Sequence, residues 1–218
     1  MNVTYESVST QLASEDYGNR LSAVNQMRYL DAPQSFELLQ KAIADENPRV
    51  RYAAISQLAS VGNHDREASL ALLENALLRD SDMDVRAAAA DSVGALKLTE
   101  AFEAMETLYQ QTDEWLVRFS IIAALGELGD PRGYDLLIKA LEGDHELIRT
   151  VAIGALGELK DLRAVPYLAA YVDNPDWQIR HRVAQALGQI GGGETRSALA
   201  TLAEDDVEQV AQEAKRAL

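Results

Sequence analysis

The chain carries three histidines, His64, His145 and His181, and no cysteine. The lack of thiols removes thiolate nucleophiles, disulfides and cysteine-held zinc, and it fits a reducing compartment. No His-x-x-x-His pair occurs. Glu142 and His145 form one Glu-x-x-His spacing, but it straddles Gly143 in an expected turn, and a zinc site needs about four converging ligands. No metal is therefore expected. Asp80, Asp82 and Asp84 begin like a calcium loop, which wants glycine at its sixth position and a bidentate glutamate at its twelfth. Here those positions hold Val85 and Asp91, and capping of the following helix explains the acids better. Gly191, Gly192 and Gly193 lack the Lys-Ser/Thr of a phosphate-binding loop and read as a helix stop. No Gly-x-Ser-x-Gly elbow appears, and no nucleophile–base pair can be argued.

What remains is chemistry for anions and flat rings. Arg51, Arg86, Arg118, Arg149 and Arg180 share one sequence column and could receive carboxylates as bidentate forks. The alternative is structural: Asp45 and Asp80 stand six residues before Arg51 and Arg86, and turn aspartates with helix arginines would tie layers together. The corresponding positions further on are Thr112, Gly143 and Asn174. That leaves Arg118, Arg149 and Arg180 with freer partners, for which Asp113, Asp144 and Asp173 are substitutes. Trp115 and Trp177 share a second column and open two segments. Arg180, His181 and Arg182 make a basic run in an acidic chain, and imidazole titrates near neutrality. Together Trp115, Phe119, Trp177, Arg180, His181 and Arg182 form the candidate groove for a flat anionic ligand or a partner, with His181 the one candidate for proton transfer. The plainer reading is an ordinary solvated face with the tryptophans capping layer contacts.

These residues are positioned by a repeat. The core Val/Ile-Arg-x-x-Ala followed by Leu-Gly recurs as VRYAAISQLASVG from Val50, VRAAAADSVGAL from Val85, VRFSIIAALGELG from Val117, IRTVAIGALGELK from Ile148 and IRHRVAQALGQIGG from Ile179. The arginines are separated by 35, 32, 31 and 31 residues. Weaker copies hold Arg20 and Ala211. Three residues after the column stand Ala23, Ala54, Ala89, Ile121, Ala152, Val183 and Ala214; seven after stand Met27, Leu58, Val93, Leu125, Leu156, Leu187 and Leu218. Apolar residues at this spacing line one face of a helix. A shorter periodic segment precedes each, so every copy is a helix pair.

First helices are expected near 5–14, 34–44, 65–79, 99–111, 132–142, 163–172 and 194–203. Second helices are expected near 17–30, 48–61, 83–96, 115–128, 146–159, 177–190 and 206–217. Asn47-Pro48, Asp82 and Asp176 fit N-caps of second helices, and Asp130-Pro131 the start of a first one. The repeat of 35 residues should hold a longer first helix. One pair cannot bury its stripe alone, and stacked pairs make a solenoid. The fold class is all-α, an α-α superhelix of about seven helix pairs, taken as a single domain over 1–218.

The chain has 218 residues, 20 basic and 35 acidic, for a net charge of −15. That opposes nucleic-acid binding, which rests on Lys and Arg. No apolar run is long enough for a membrane span. The opening MNVTYESVSTQLASED shows neither basic nor apolar signal regions, so no secretory signal is expected.

The Val-Arg-x-x-Ala-x-x-Ala-Leu-Gly pattern, with Asp-Pro-Arg between two units, resembles a short HEAT repeat, and more narrowly the bilin-lyase-type HEAT-like family. AAADSVGALKLTEAFE from Ala88, EWLVRFSIIAALGELGDPR from Glu114, NPDWQIRHRVAQALG from Asn174 and EDDVEQVAQEAKRAL from Glu204 are similar to the phycobilisome-degradation branch of that family. The resemblance implies a cytoplasmic cyanobacterial protein acting on phycobiliproteins (phycocyanin or allophycocyanin) during phycobilisome disassembly. It implies contact with bilin, phycocyanobilin being the candidate ligand, and detachment at the bilin–cysteine thioether as the chemistry if there is any. No cofactor is required. Two alternatives stay open: a bilin lyase or isomerase subunit, and a protein-interaction scaffold that never meets bilin.

Overall fold

A computed structural model describes residues 3–218. Among them are fourteen α-helices, short 3-10 turns and no strand. The chain divides into two compact units, residues 1–121 and 122–218.

The first unit holds α1 (Tyr5–Leu12) with α2 (Tyr17–Gln26), α3 (Ala32–Ala42) with α4 (Pro48–Val61), α5 (Arg66–Arg79) with α6 (Met83–Leu96), then α7 (Phe102–Gln111) and the start of α8 (Trp115–Leu128). The second holds the rest of α8, then α9 (Tyr134–Glu142) with α10 (Glu146–Leu159), α11 (Val165–Ala169) with α12 (Trp177–Ile190), and α13 (Arg196–Leu202) with α14 (Glu208–Ala217). The second helices α4, α6, α8, α10 and α12 have the expected bounds. The 35-residue repeat has the longer first helix expected, the 14-residue α5.

Capping fixes these starts. The Asn47 side chain accepts from the Arg49 amide at 2.9 Å, Asp82 from Asp84 at 3.0 Å, and Asp176 from Gln178 at 2.8 Å. Each satisfies amides that the first helical turn leaves unpaired.

α3 lies two residues earlier than its expected 34–44, and α7, α9, α11 and α13 begin later than their periodicity suggests. Asp130 does cap, accepting from the Arg132 amide at 2.9 Å, but Pro131–Gly133 is a 3-10 turn and the α-helix begins at Tyr134. Thr99–Ala101, Leu162–Ala164 and Gly193–Thr195 repeat this arrangement. The tighter winding tucks the third residue of each turn, always a small one, into the core: Ala101, Gly133, Ala164 and Thr195 are all buried. α11 stops at Ala169, and residues 170–173 continue as turns rather than helix.

The two apolar columns are the core. All seven residues of the first, from Ala23 to Ala214, are fully buried, as are the first six of the second. The seventh, Leu218, lies past the end of α14 and is 55% exposed.

The glycine of the Ala-Leu-Gly motif explains how closely second helices approach. A Cβ on Gly126 would stand 2.6 Å from Ala155 Cα, and one on Gly157 would stand 2.7 Å from Ala186 Cα. One on Gly188 would stand 2.8 Å from Ala217 Cβ. In the second unit, then, glycine of one second helix meets alanine of the next, and nothing larger fits without moving backbone. A Cβ on Gly154, by contrast, meets nothing within 4 Å. Gly154→Ala should therefore raise stability by about 0.5–1 kcal/mol through helix propensity. Gly157→Ala should lower it by roughly 1–3 kcal/mol through overpacking. Urea unfolding of both variants checks the opposite signs.

Candidate functional site

The arginine column is a ladder. Arg20 meets Asp45 at 2.7 Å, Arg51 meets Asp80 at 2.8 Å, and Arg180 meets Asp205 at 2.6 Å. In each pair Nε and one terminal nitrogen grip both carboxylate oxygens. The other terminal nitrogen donates to the turn of the arginine's own repeat: Ser14 and Glu15 for Arg20, Asp45 and Glu46 for Arg51, Asn174 for Arg180. Asp80 serves two layers at once, its carboxylate holding Arg51 and its carbonyl accepting from Arg86.

The carboxylate therefore comes from the following repeat, about 25–29 residues on, and not from the turn six residues before. This corrects the sequence expectation of which arginines lack one. Arg180 is committed to Asp205, and the arginines facing Thr112, Gly143 and Asn174 in sequence are Arg86, Arg118 and Arg149. Arg149 donates to the Gly143 carbonyl at 2.8 Å. Arg118 meets Asp113 at 3.2 Å, as expected of a substitute, and lies 5.5 Å over the Tyr109 ring. Its buried Nε makes no hydrogen bond.

The ladder shifts its acids. Hydrogen bonding from Arg180 holds Asp205 down to about 2. Burial pushes Asp45 and Asp80 up, but the facing arginine and the turn amide outweigh it, so both lie below the usual carboxylate range.

A groove of about 650 Å³ lies in the first unit. Its floor is built from the two residues after the column arginines: Leu21, Tyr52 and Ala87 at the first position, Ala53, Ala88 and Ser120 at the second. The small residues at Ala53, Ala87 and Ala88 open the space. On the α8 side the groove is closed by Leu116, which with Ser120 lies one residue on from Trp115 and Phe119. Its rim carries Asp82, Asp84 and Asp91 on the α6 side and Arg49 at the start of α4. Sequence reasoning read Asp82 and Asp84 only as caps. Their spacing to Asp91, nine residues from Asp82 and seven from Asp84, is too common a pattern to signal a rim.

The expected groove residues fall in both units. Trp115 opens α8 and is 46% exposed, with Phe119 half-buried one turn on; both belong to the first unit. Trp177 opens α12 and is 41% exposed, His181 is half-buried and Arg182 exposed; these belong to the second, as does Arg180. Among the bases of the Ile-Arg-His-Arg run, Arg182 is the one outside the ladder. His145 caps α10, its Nδ1 accepting from the Ile148 amide at 3.4 Å, and His64 lies edge-on to Phe36. Gly191 and Gly192 adopt positive φ of 67° and 88° at the end of α12, the helix stop expected of them. Among the described residues, no group of three or more metal-ligating side chains converges, and no helix is long and apolar enough to cross a membrane.

A family model described as HEAT repeats matches residues 6–92, 70–153 and 134–218. No curated protein matches the sequence significantly. Among solved structures, the complex of CpcE and CpcF of phycocyanin lyase from Nostoc sp. PCC7120 has a chain similar at 23% identity, covering 100% of this chain and 96% of that one, with a TM-score of 0.66. An engineered protein is similar at 19% identity, covering 100% of this chain and 67% of that one, with a TM-score of 0.65. At these identities the likeness is one of fold.

The Asn174 Oδ1 accepts from the Asp176 amide at 3.0 Å, just as Asp205 Oδ1 accepts from Val207 at 2.9 Å. Asn174→Asp should thus complete a pair with Arg149 and raise stability by about 0.5–1 kcal/mol, read from urea midpoints at pH 7. Because the folded pKa of Asp205 is depressed, its contribution is present above about pH 4 and is lost as pH falls toward 2. Unfolding measured between pH 5 and 2 should lose on the order of 1–2 kcal/mol from this pair, and Asp205→Asn should remove that part of the slope.

Proposed function

Because the chain belongs to the HEAT-repeat family, whose repeats offer binding faces and serve many functions, we propose that it is a scaffold of the bilin-lyase type. It binds a phycobiliprotein, phycocyanin or allophycocyanin, in the cytoplasm of a cyanobacterium and acts in phycobilisome disassembly. The observation that carries this reading is the fold match to the phycocyanin lyase complex over the whole chain. The segments from Ala88, Glu114, Asn174 and Glu204 that resemble the degradation branch add to it.

The face of α12 is where this reading puts bilin contact. Trp177 offers an exposed ring for the flat tetrapyrrole, Arg182 a free guanidinium for a propionate, and His181 the candidate proton donor or acceptor beside them. Arg180 positions the helix through Asp205 rather than meeting the ligand. Trp115 and Phe119 offer a second aromatic surface on the first unit, for the protein partner. Phycocyanobilin enters as a ligand, and detachment at the thioether is the chemistry to test for.

A lyase subunit is the second reading. It is favoured by the fact that the similar structure is a complex of two different chains; its activity would appear only when a second chain is added.

Titration of the purified chain with phycocyanobilin and with intact phycocyanin, followed by visible absorbance and fluorescence, tests the proposal. A shifted or quenched bilin spectrum is expected. Complex formation with phycocyanin but no response to free bilin would leave a scaffold that reads protein surface. No response to either would overturn the phycobiliprotein reading. Trp177→Ala and Arg182→Ala should each weaken bilin binding roughly 5–20-fold with unchanged helicity by circular dichroism.

A further inference from the structure

The groove of the first unit differs in chemistry from the α12 face. Its floor is apolar and small, with Ala53, Ala87 and Ala88 between the flanks of Leu21 and Leu116. Tyr52 stands on it 47% exposed. Its rim sets three carboxylates against one guanidinium. Asp82 is occupied in part by the α6 amides, whereas Asp84 projects from the first turn and is exposed. An anion entering here meets like charge on the α6 side, so the groove does not suit a propionate-bearing ligand.

The shape further narrows the occupant. At about 650 Å³ the groove takes several side chains, not one. It runs over helices, and the first unit has no strand among its described residues. An extended peptide would find no edge to pair its backbone with, whereas a helix arrives with its backbone already satisfied and lays an apolar stripe into the groove.

We propose that this groove docks a helical segment of a partner protein that carries lysine or arginine beside its apolar stripe. The basic side chain faces Asp84 and Asp82 across from Tyr52, whose ring also accepts a cation over its face, and the apolar residues lie on the alanine floor. The proposal is independent of the phycobiliprotein reading, because it concerns the charge and form of the segment, whatever protein bears it.

The test uses the full chain and two fluorescent amphipathic helical peptides, each with a leucine stripe, one flanked by lysine and the other by glutamate. Fluorescence anisotropy should show saturable one-to-one binding of the lysine peptide and at least tenfold weaker binding of the glutamate peptide. A chain of net charge −15 attracts any cation, so two reversals of equal charge are compared. Asp84→Lys, on the rim, should weaken the lysine peptide about tenfold; Glu67→Lys, exposed on α5, should change it less than about twofold. Tyr52→Ala provides a second groove variant that leaves the helix start untouched, with an expected loss of about fivefold. Equal weakening by Asp84→Lys and Glu67→Lys would reduce the effect to general charge and overturn the proposal. So would absence of saturable binding, or equal binding of both peptides.

Discussion

An arginine from one second helix grips an aspartate in the turn of the following repeat, and the arrangement of the chain depends on that grip. A helix pair of about 31 residues buries too little on its own. Apolar columns bring repeats together but leave them free to slide, since alanine and leucine stripes are nearly featureless along the helix. The bidentate pairs Arg20–Asp45, Arg51–Asp80 and Arg180–Asp205 remove that freedom. Each guanidinium also binds its own turn, so one side chain fixes both the helix start and the register of the next layer. Such half-buried pairs give position more than net stability, and here position is what a repeat protein requires. Between α12 and α14, glycine against alanine at Gly188 and Ala217 sets the spacing that Arg180 and Asp205 then lock.

The same ladder separates structural from functional groups. Arginines in the column look like an anion-binding ridge in sequence, yet three of them are neutralised by half-buried aspartates. Chemistry for a partner is left to residues beside the column. On the first unit these make an apolar floor with an acidic rim; on α12 they make an exposed indole with an unpaired guanidinium. The two surfaces favour opposite charges, which is a reason to expect different contacts at each.

Much of this was legible in the sequence. The repeat fixed the second helices α4, α6, α8, α10 and α12 to the residue, because a strict apolar spacing runs along each and Asn47, Asp82 and Asp176 cap three of them. The first helices were less legible. Their opening 3-10 turns follow from tucking Ala101, Gly133, Ala164 and Thr195 inward, a tertiary demand that helical periodicity does not encode. Arg180 was misjudged because an aspartate six residues before an arginine looks like its partner, and only the stacking shows that the carboxylate comes from the next layer. The groove was half visible. Its α8 wall lies one residue on from Trp115 and Phe119, which the sequence singled out, but Asp84 looked like a cap.

The most direct test is a double-mutant cycle on Arg180 and Asp205, combined with phycocyanin binding of each variant. If the column is a ladder and α12 acts through Trp177 and Arg182, Arg180→Met and Asp205→Asn should each destabilise and should couple by about 1–3 kcal/mol. Phycocyanin binding should stay unchanged wherever the variants remain folded. Coupling near zero, with binding lost in Arg180→Met alone, would contradict the account and make Arg180 a ligand-binding group.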